Sequence, residues 1–190
     1  MKRSRHVALV MMGASALALT ACEESQVDVG VFESVDQCMI TPGMTKELCT
    51  ESLAASQEQH AKVAPKYTSK GDCEADFGAG QCEDSPYQTQ SGGSVFMPMM
   101  MGFMMGQMMA GRSQPLYRSS DDAKSYRTAD NKTVASKTGM TKVPQSLTKT
   151  PSVKTSTMRR GGFGSRASSL GQTARMPTGS TRTGYRSFGG

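Results

Sequence analysis

The sequence predicts an α+β protein: a small disulfide-stapled head domain followed by a long disordered basic tail. Three observations predict it. Val27, Val29 and Val31 alternate with Asp28, Gly30 and Phe32, the period of a strand with one buried face. Helix caps and helix stops recur from Ser34 to Gly78. Beyond residue 112 the residues that build cores become scarce, and Ser, Thr, Gly, Lys and Arg dominate.

At the N-terminus, Lys2, Arg3 and Arg5 precede an uncharged run from Val7 to Ala18. Its length suits the apolar core of an export signal and falls short of the roughly 20 residues of a spanning helix. Leu19-Thr20-Ala21-Cys22 comes next and resembles the lipobox of bacterial lipoproteins. That resemblance implies that residues 1–21 are a removed signal peptide. It also implies that Cys22 carries a diacylglyceryl thioether and an acylated amine, tethering the chain to a membrane. In enterobacterial lipoproteins an Asp after the cysteine favours retention in the inner membrane. Glu23 and Glu24 stand here instead, so the resemblance implies the outer membrane, on its periplasmic side.

The head spans 22–90. After the valine strand, Ser34 and Gln37 have capping-box spacing, which predicts a short helix over Val35 to Met39. Thr41-Pro42-Gly43 breaks the chain. Thr45 is the N-cap of a longer helix over Lys46 to Ala64, with Glu47 in its first turn, Lys62 in its last and Pro65 beyond. Ser69 or Asp72 caps one more turn across Cys73 to Phe77, which Gly78 ends.

So small a head has few large apolar residues and needs staples. Cys38, Cys49, Cys73 and Cys82 supply them: an even set in an exported chain reads as disulfides. Of the possible pairings, Cys38–Cys49 and Cys73–Cys82 are favoured, because each closes a short loop next to a helix end. Each would contribute about 3 kcal/mol in the chain-entropy model. The alternative, a zinc site using these thiols with His60, lacks the close C-x-x-C spacing of zinc motifs.

Catalysis has little to stand on. His60 is the only histidine after the signal, and no nucleophile elbow, P-loop, zincin or dinucleotide motif occurs. His60 is placed on one helix face with Cys49, Ser52 and Ser56, as a structural residue. Glu74, Asp76, Glu83 and Asp84 read as a solvated acidic face, without the spacing of a calcium loop.

The segment 91–111 contains VFMPMMMGFMMGQMMAG, with Met97, Met99, Met100, Met101, Met104, Met105, Met108 and Met109. Three uses compete for it. Flexible, polarizable thioethers make adaptable contact surfaces. An apolar stretch near a lipid anchor can touch the membrane, although Pro98, Gly102, Gly106 and Gly111 interrupt it. Thioethers also select Cu(I), which makes these eight methionines a candidate metal site.

The tail spans 112–190. From Glu23 to Gly111 there are 13 acidic and 4 basic residues; from Arg112 to Gly190 there are 3 acidic and 15 basic ones. Such asymmetry predicts an interaction tail. Lys132, Lys137, Lys142, Lys149 and Lys154 recur at intervals, and Arg159-Arg160-Gly161-Gly162-Phe163-Gly164 has an imperfect copy in Arg186-Ser187-Phe188-Gly189-Gly190. Export removes nucleic acid as a partner. Lipid phosphates and other anionic envelope surfaces remain, each clustered cation contributing about 1 kcal/mol. An unknown envelope protein, or the chain's own acidic head, is a further candidate.

Phe32-Glu33-Ser34-Val35-Asp36-Gln37-Cys38, Ala61-Lys62-Val63-Ala64-Pro65-Lys66-Tyr67 and Cys73-Glu74-Ala75-Asp76-Phe77-Gly78 with Cys82 resemble the YgiB family of enterobacterial proteins. The Met/Gly stretch and the Arg-Gly-Gly-Phe-Gly motif fit the resemblance too. The family is of unknown function and transfers no catalytic residue. Its members often lie beside a gene for an ATP-grasp enzyme resembling glutathionylspermidine synthase, which implies shared physiology without contact. The sequence therefore predicts an envelope lipoprotein that acts as a non-catalytic interaction or structural protein and needs no cofactor, with Cu(I) binding as the alternative.

Overall fold

The computed structural model describes residues 24–106 and 113–167. Its architecture is α+β and mostly β. Strand β1 (Gln26–Phe32) is followed by α1 (Val35–Met39), α2 (Lys46–Val63) and α3 (Lys70–Phe77). Then come β2 (Cys82–Gln88), β3 (Ser94–Pro98), β4 (Gly102–Gly106), β5 (Ser113–Ser119), β6 (Asp122–Arg127), β7 (Thr133–Ala135) and β8 (Gly139–Pro144), and a short 3₁₀ helix, Gln145–Thr148.

The caps read from the sequence form. The Gln37 amide donates to Ser34 Oγ at 3.2 Å, and Gln37 Oε1 reaches back to the Glu33 amide at 2.7 Å. Thr45 caps α2 through the Leu48 amide, and Ser69 caps α3 through Asp72, so α3 starts a turn before Cys73.

Six strands form one antiparallel sheet in the order β7-β6-β5-β4-β1-β8, and β2 pairs with β3 as a separate hairpin. In the large sheet, β4 to β7 form a meander while β8 returns to the free side of β1. Only residues 136–138 join β7 to β8, the two outer strands. So short a link spans at most about 14 Å. The sheet must curl until its edges approach one another, giving a nearly closed barrel.

The alternation of β1 then sorts the core. Val29 and Val31 point inward with Met104, Leu116, Tyr126, Val134 and Val143. Phe32, Phe103 and Met105 point outward against Cys38 and Cys49 of α1 and α2. A side chain at Gly30 would meet the Phe32 ring at 2.3 Å, and one at Gly102 would meet the Phe32 carbonyl oxygen at 2.8 Å. A third cluster joins Val63, Tyr67, Phe77, Met97, Tyr117 and Phe163.

The sulfurs of Cys38 and Cys49 lie at disulfide distance, as do those of Cys73 and Cys82, with Cα–Cα separations of 5.9 and 6.2 Å. These are the pairings favoured from loop length.

The boundaries expected at residues 91 and 112 are not seams in this fold. β3 and β4 come from the Met/Gly segment, and β5 to β8 come from the expected tail. Disorder from residue 112 onward is therefore corrected for residues 113–167, which supply four of the six strands of the large sheet. The segment lacks a core of its own because its few apolar residues complete one begun by β1 and β4. Residues 168–190 lie outside the described residues, as do the signal segment and Cys22. Among the described residues, no helix is long and apolar enough to cross a membrane.

Candidate anion-binding surface

The chain after the barrel is strapped back onto the helices by a buried carboxylate. Asp76, near the end of α3, is 6% exposed. It accepts the Tyr67 hydroxyl at 2.9 Å and the successive amides of Gly161, Gly162 and Phe163 at 2.7, 3.1 and 3.3 Å. Backbone amides converging on one carboxylate form an anion nest, and here the anion belongs to the same chain. Gly161 has φ +78°, which lets the chain turn its amides together. The Phe163 ring follows into the third cluster, 4.7 Å from Phe77 and 6.2 Å from Tyr117. Asp121 extends the clasp, accepting the amides of Ser165 and Arg166. Burial alone would raise its pKa, but the Ser119 hydroxyl and these amides outweigh that and lower it.

This clasp fixes the strap before it. The Lys154 amide donates to the Lys62 carbonyl at 3.0 Å and the Met158 amide to the Lys66 carbonyl at 2.6 Å. Lys154 thereby comes to lie beside Lys62 and Lys66, from the end of α2. Together with Tyr87, Val95 and Val153 they line a groove of about 270 Å³. Lys66 is the unusual member. It is 5% exposed, and its Nζ donates to the carbonyls of Lys62 at 3.1 Å and Lys154 at 2.9 Å. The Tyr87 ring centroid is 5.0 Å from that nitrogen. Among the described residues no carboxylate pairs with Lys66, whereas Lys62 pairs with Glu58 and Lys154 with Asp130. Burial, and then the Lys154 charge, lower the Lys66 pKa.

Further cations lie on and beside β7 and β8 and in the strap. Lys132, Lys137, Lys142, Lys149, Arg159 and Arg160 are all exposed. None of them forms an ion pair among the described residues. Exposed carboxylates are carried by other elements: Asp36 on α1, and Glu47, Glu51 and Glu58 on α2. The charge split of the sequence survives folding only in part, because β1 sets exposed Asp28 opposite Lys142 of β8 and Glu24 acts on Lys149 and Lys132.

Residues 26–173 match the family described as "Protein of unknown function (DUF1190)". The chain belongs to that family. Its relatives include UPF0441 proteins across the enterobacteria. One from Erwinia tasmaniensis is 35% identical over 207 residues, covering 98% of this chain and 92% of the relative. Another from Klebsiella pneumoniae is 34% identical over 208 residues, with the same coverage of each chain. A third from Serratia proteamaculans is 34% identical over 214 residues, covering 99% and 93%. These matches bear out the YgiB resemblance read from the head motifs. No solved structure matches the chain.

The remaining candidate residues of this DUF1190 protein are placed as follows. Cys49, Ser52, Ser56 and His60 do share the buried face of α2. His60 Nδ1 lies 2.9 Å from the Tyr117 hydroxyl and Nε2 lies 3.1 Å from Glu83 Oε1. Burial pushes the imidazole below its ordinary pKa, against the pull of Glu83. This chain of contacts runs from fully buried Tyr117 through His60 to Glu83 at the surface.

The acidic face expected from Glu74, Asp76, Glu83 and Asp84 divides: Asp76 is the buried clasp, and Glu83 turns to His60. Among the described residues no cluster of His, Cys, Asp and Glu could hold a metal ion. The methionines do not gather either. Met97, Met104 and Met105 are buried in three different clusters, and Met104 and Met105 face opposite sides of β4. Met99 and Met101 line a hollow of about 350 Å³ with Phe77 and Arg118. Met100 is half-buried, while Met108 and Met109 lie outside the described residues. Sequence reading missed Lys66 as a buried cation. The only signal was its place just after Pro65, where the chain turns from the helix into the core.

Proposed function

We propose that this protein is an envelope lipoprotein that works by contact, without catalysis. Cys22 tethers it to the periplasmic side of the outer membrane, and its basic segments meet an anionic envelope surface. The observation that carries the reading is the set of exposed cations Lys132, Lys137, Lys142, Lys149, Arg159 and Arg160, none of which closes an ion pair among the described residues, although Glu24 lies in the field of Lys149 and Lys132 and Asp28 stands opposite Lys142. The described residues hold 15 acidic and 15 basic side chains, so attraction would come from their distribution and not from net charge. The two disulfide-distance pairs support an oxidising compartment. Beside a membrane, each such cation contributes about 1 kcal/mol, and the effect fades beyond a Debye length.

Vesicle sedimentation tests the surface. The full chain from residue 22, with Cys22→Ser to remove lipid, is mixed with phosphatidylglycerol vesicles. Binding should fall at least tenfold as sodium chloride rises from about 0.05 M to about 0.5 M. Neutral phosphatidylcholine vesicles should bind weakly at both. Salt-independent binding would contradict the reading.

A further inference from the structure

We infer that the groove around Lys66 is a binding site for a phosphate-bearing small molecule of about single-sugar size. It lies between the end of α2, the loop joining β2 to β3, and the strap. The observation that carries this is a buried ammonium without a counter-ion. Lys66 is 95% withdrawn from solvent, since its exposure is 5%. An ammonium has three N–H donors. Two are taken by the carbonyls of Lys62 and Lys154, which carry no charge, and its face toward Tyr87 meets only a ring. A charge buried in this way is costly unless something anionic joins it.

The neighbours define what that something is. Lys62 and Lys154 are already offset by Glu58 and Asp130, so the groove holds one uncompensated positive charge and fits one compact anion. Thr155, Ser156 and Thr157 also line it and add hydroxyl donors. One amine with several hydroxyls suits the several oxygens of a phosphate. Tyr87 and Val153 are exposed large side chains, at 45% and 61%, and offer apolar faces to a ring carried by that phosphate. A volume of about 270 Å³ is close to the lower end of small-molecule pockets, about 300 Å³, which limits the body to one sugar or a lipid head group. Both sources share the same chemistry.

The test is calorimetry on the full chain from residue 22 carrying Cys22→Ser. Glucose 6-phosphate, glucose and glycerophosphoglycerol are the soluble probes, and phosphatidylglycerol vesicles are the lipid arm. Glucose 6-phosphate or glycerophosphoglycerol should bind saturably, and glucose should not. Whichever of the two binds tighter assigns the source to the sugar or to the head group. Lys66→Met should weaken binding at least tenfold. Because Lys66 also ties the strap to α2, Val153→Asp serves as a second variant: it sits at an exposed position and sets a carboxylate in the groove. It too should weaken binding of the soluble phosphates at least tenfold. Equal binding by the wild type and Val153→Asp, or no heat with either phosphate probe, would overturn the site. Either result would leave the surface reading standing, since that rests on other cations.

Discussion

Asp76 receives the amide of Gly161 at 2.7 Å, across 85 residues of chain. That contact joins α3 to the Arg-Gly-Gly-Phe-Gly motif and holds the strap that completes the lysine groove. Asp76→Ala would leave the Tyr67 hydroxyl and three amides without their acceptor. Hydrogen bonds to a charged group contribute about 1.5–3 kcal/mol and do not add fully. The expected loss is about 3 kcal/mol of unfolding free energy, read from the urea midpoint. Trypsin should also cut after Arg159 and Arg160 faster than in the wild type. An unchanged midpoint with unchanged cleavage would remove the clasp from the account.

Gly164 offers an independent probe of the same clasp. It adopts φ +101°, and a Cβ there would lie 2.3 Å from Asp121 Oδ1. Gly164→Ala should therefore destabilise by about 1–3 kcal/mol through backbone strain and displacement of that carboxylate. Gly43, also at positive φ but with nothing within 4 Å, is the control for strain alone. Gly164→Ala should cost more than Gly43→Ala in the same urea series.

The strand and helix signals of the first eighty residues were legible because they are local. Alternating valines, Ser34 with Gln37, Thr45 and Ser69 each act within a few positions, and the structure uses all of them. What followed residue 112 was not legible, because its order is borrowed. Leu116 and Val143 reach a core that β1 and β4 began, Gln114 donates through Nε2 to the carbonyls of Leu147 and Lys149, and Phe163 is seated by Asp76 and Phe77. A count of apolar residues within the segment misses partners supplied by another segment. Tyr117 and Tyr126, both buried, also escape a count restricted to aliphatic residues and Phe. For the same reason Asp76 looked like part of a solvated acidic face, and nothing local set Lys66 apart.

His60 gives the fold a pH dependence. Burial holds its folded pKa below the ordinary 6.5, so the unfolded chain binds the proton more readily. Stability therefore rises with pH across the window between the folded pKa and 6.5, and is lost as the pH falls through it. The melting temperature should drop between about pH 7 and pH 5. His60→Gln, which keeps a polar contact for Tyr117 without titrating, should flatten that drop. A wild-type melting curve that is level over this range would contradict the assignment.

The tether predicts a mass. Protein extracted from the membrane fraction of cells should begin at Cys22, carry acyl chains, and lack four thiol hydrogens through the Cys38–Cys49 and Cys73–Cys82 bonds. Cys22→Ala should move the protein out of that fraction. Residues 1–21 still attached, or an unmodified cysteine, would contradict the anchor.

The contact surface itself is most directly tested in living cells. A photo-crosslinking amino acid is placed singly at Lys142, at Lys149 and, as a control on the acidic helix, at Glu47, all of them exposed. Mass spectrometry then identifies what each position captures. The account predicts adducts with anionic lipid or another phosphate-bearing envelope component from Lys142 and Lys149, and few from Glu47. Equal capture at all three positions, or no anionic adduct at either lysine, would contradict it.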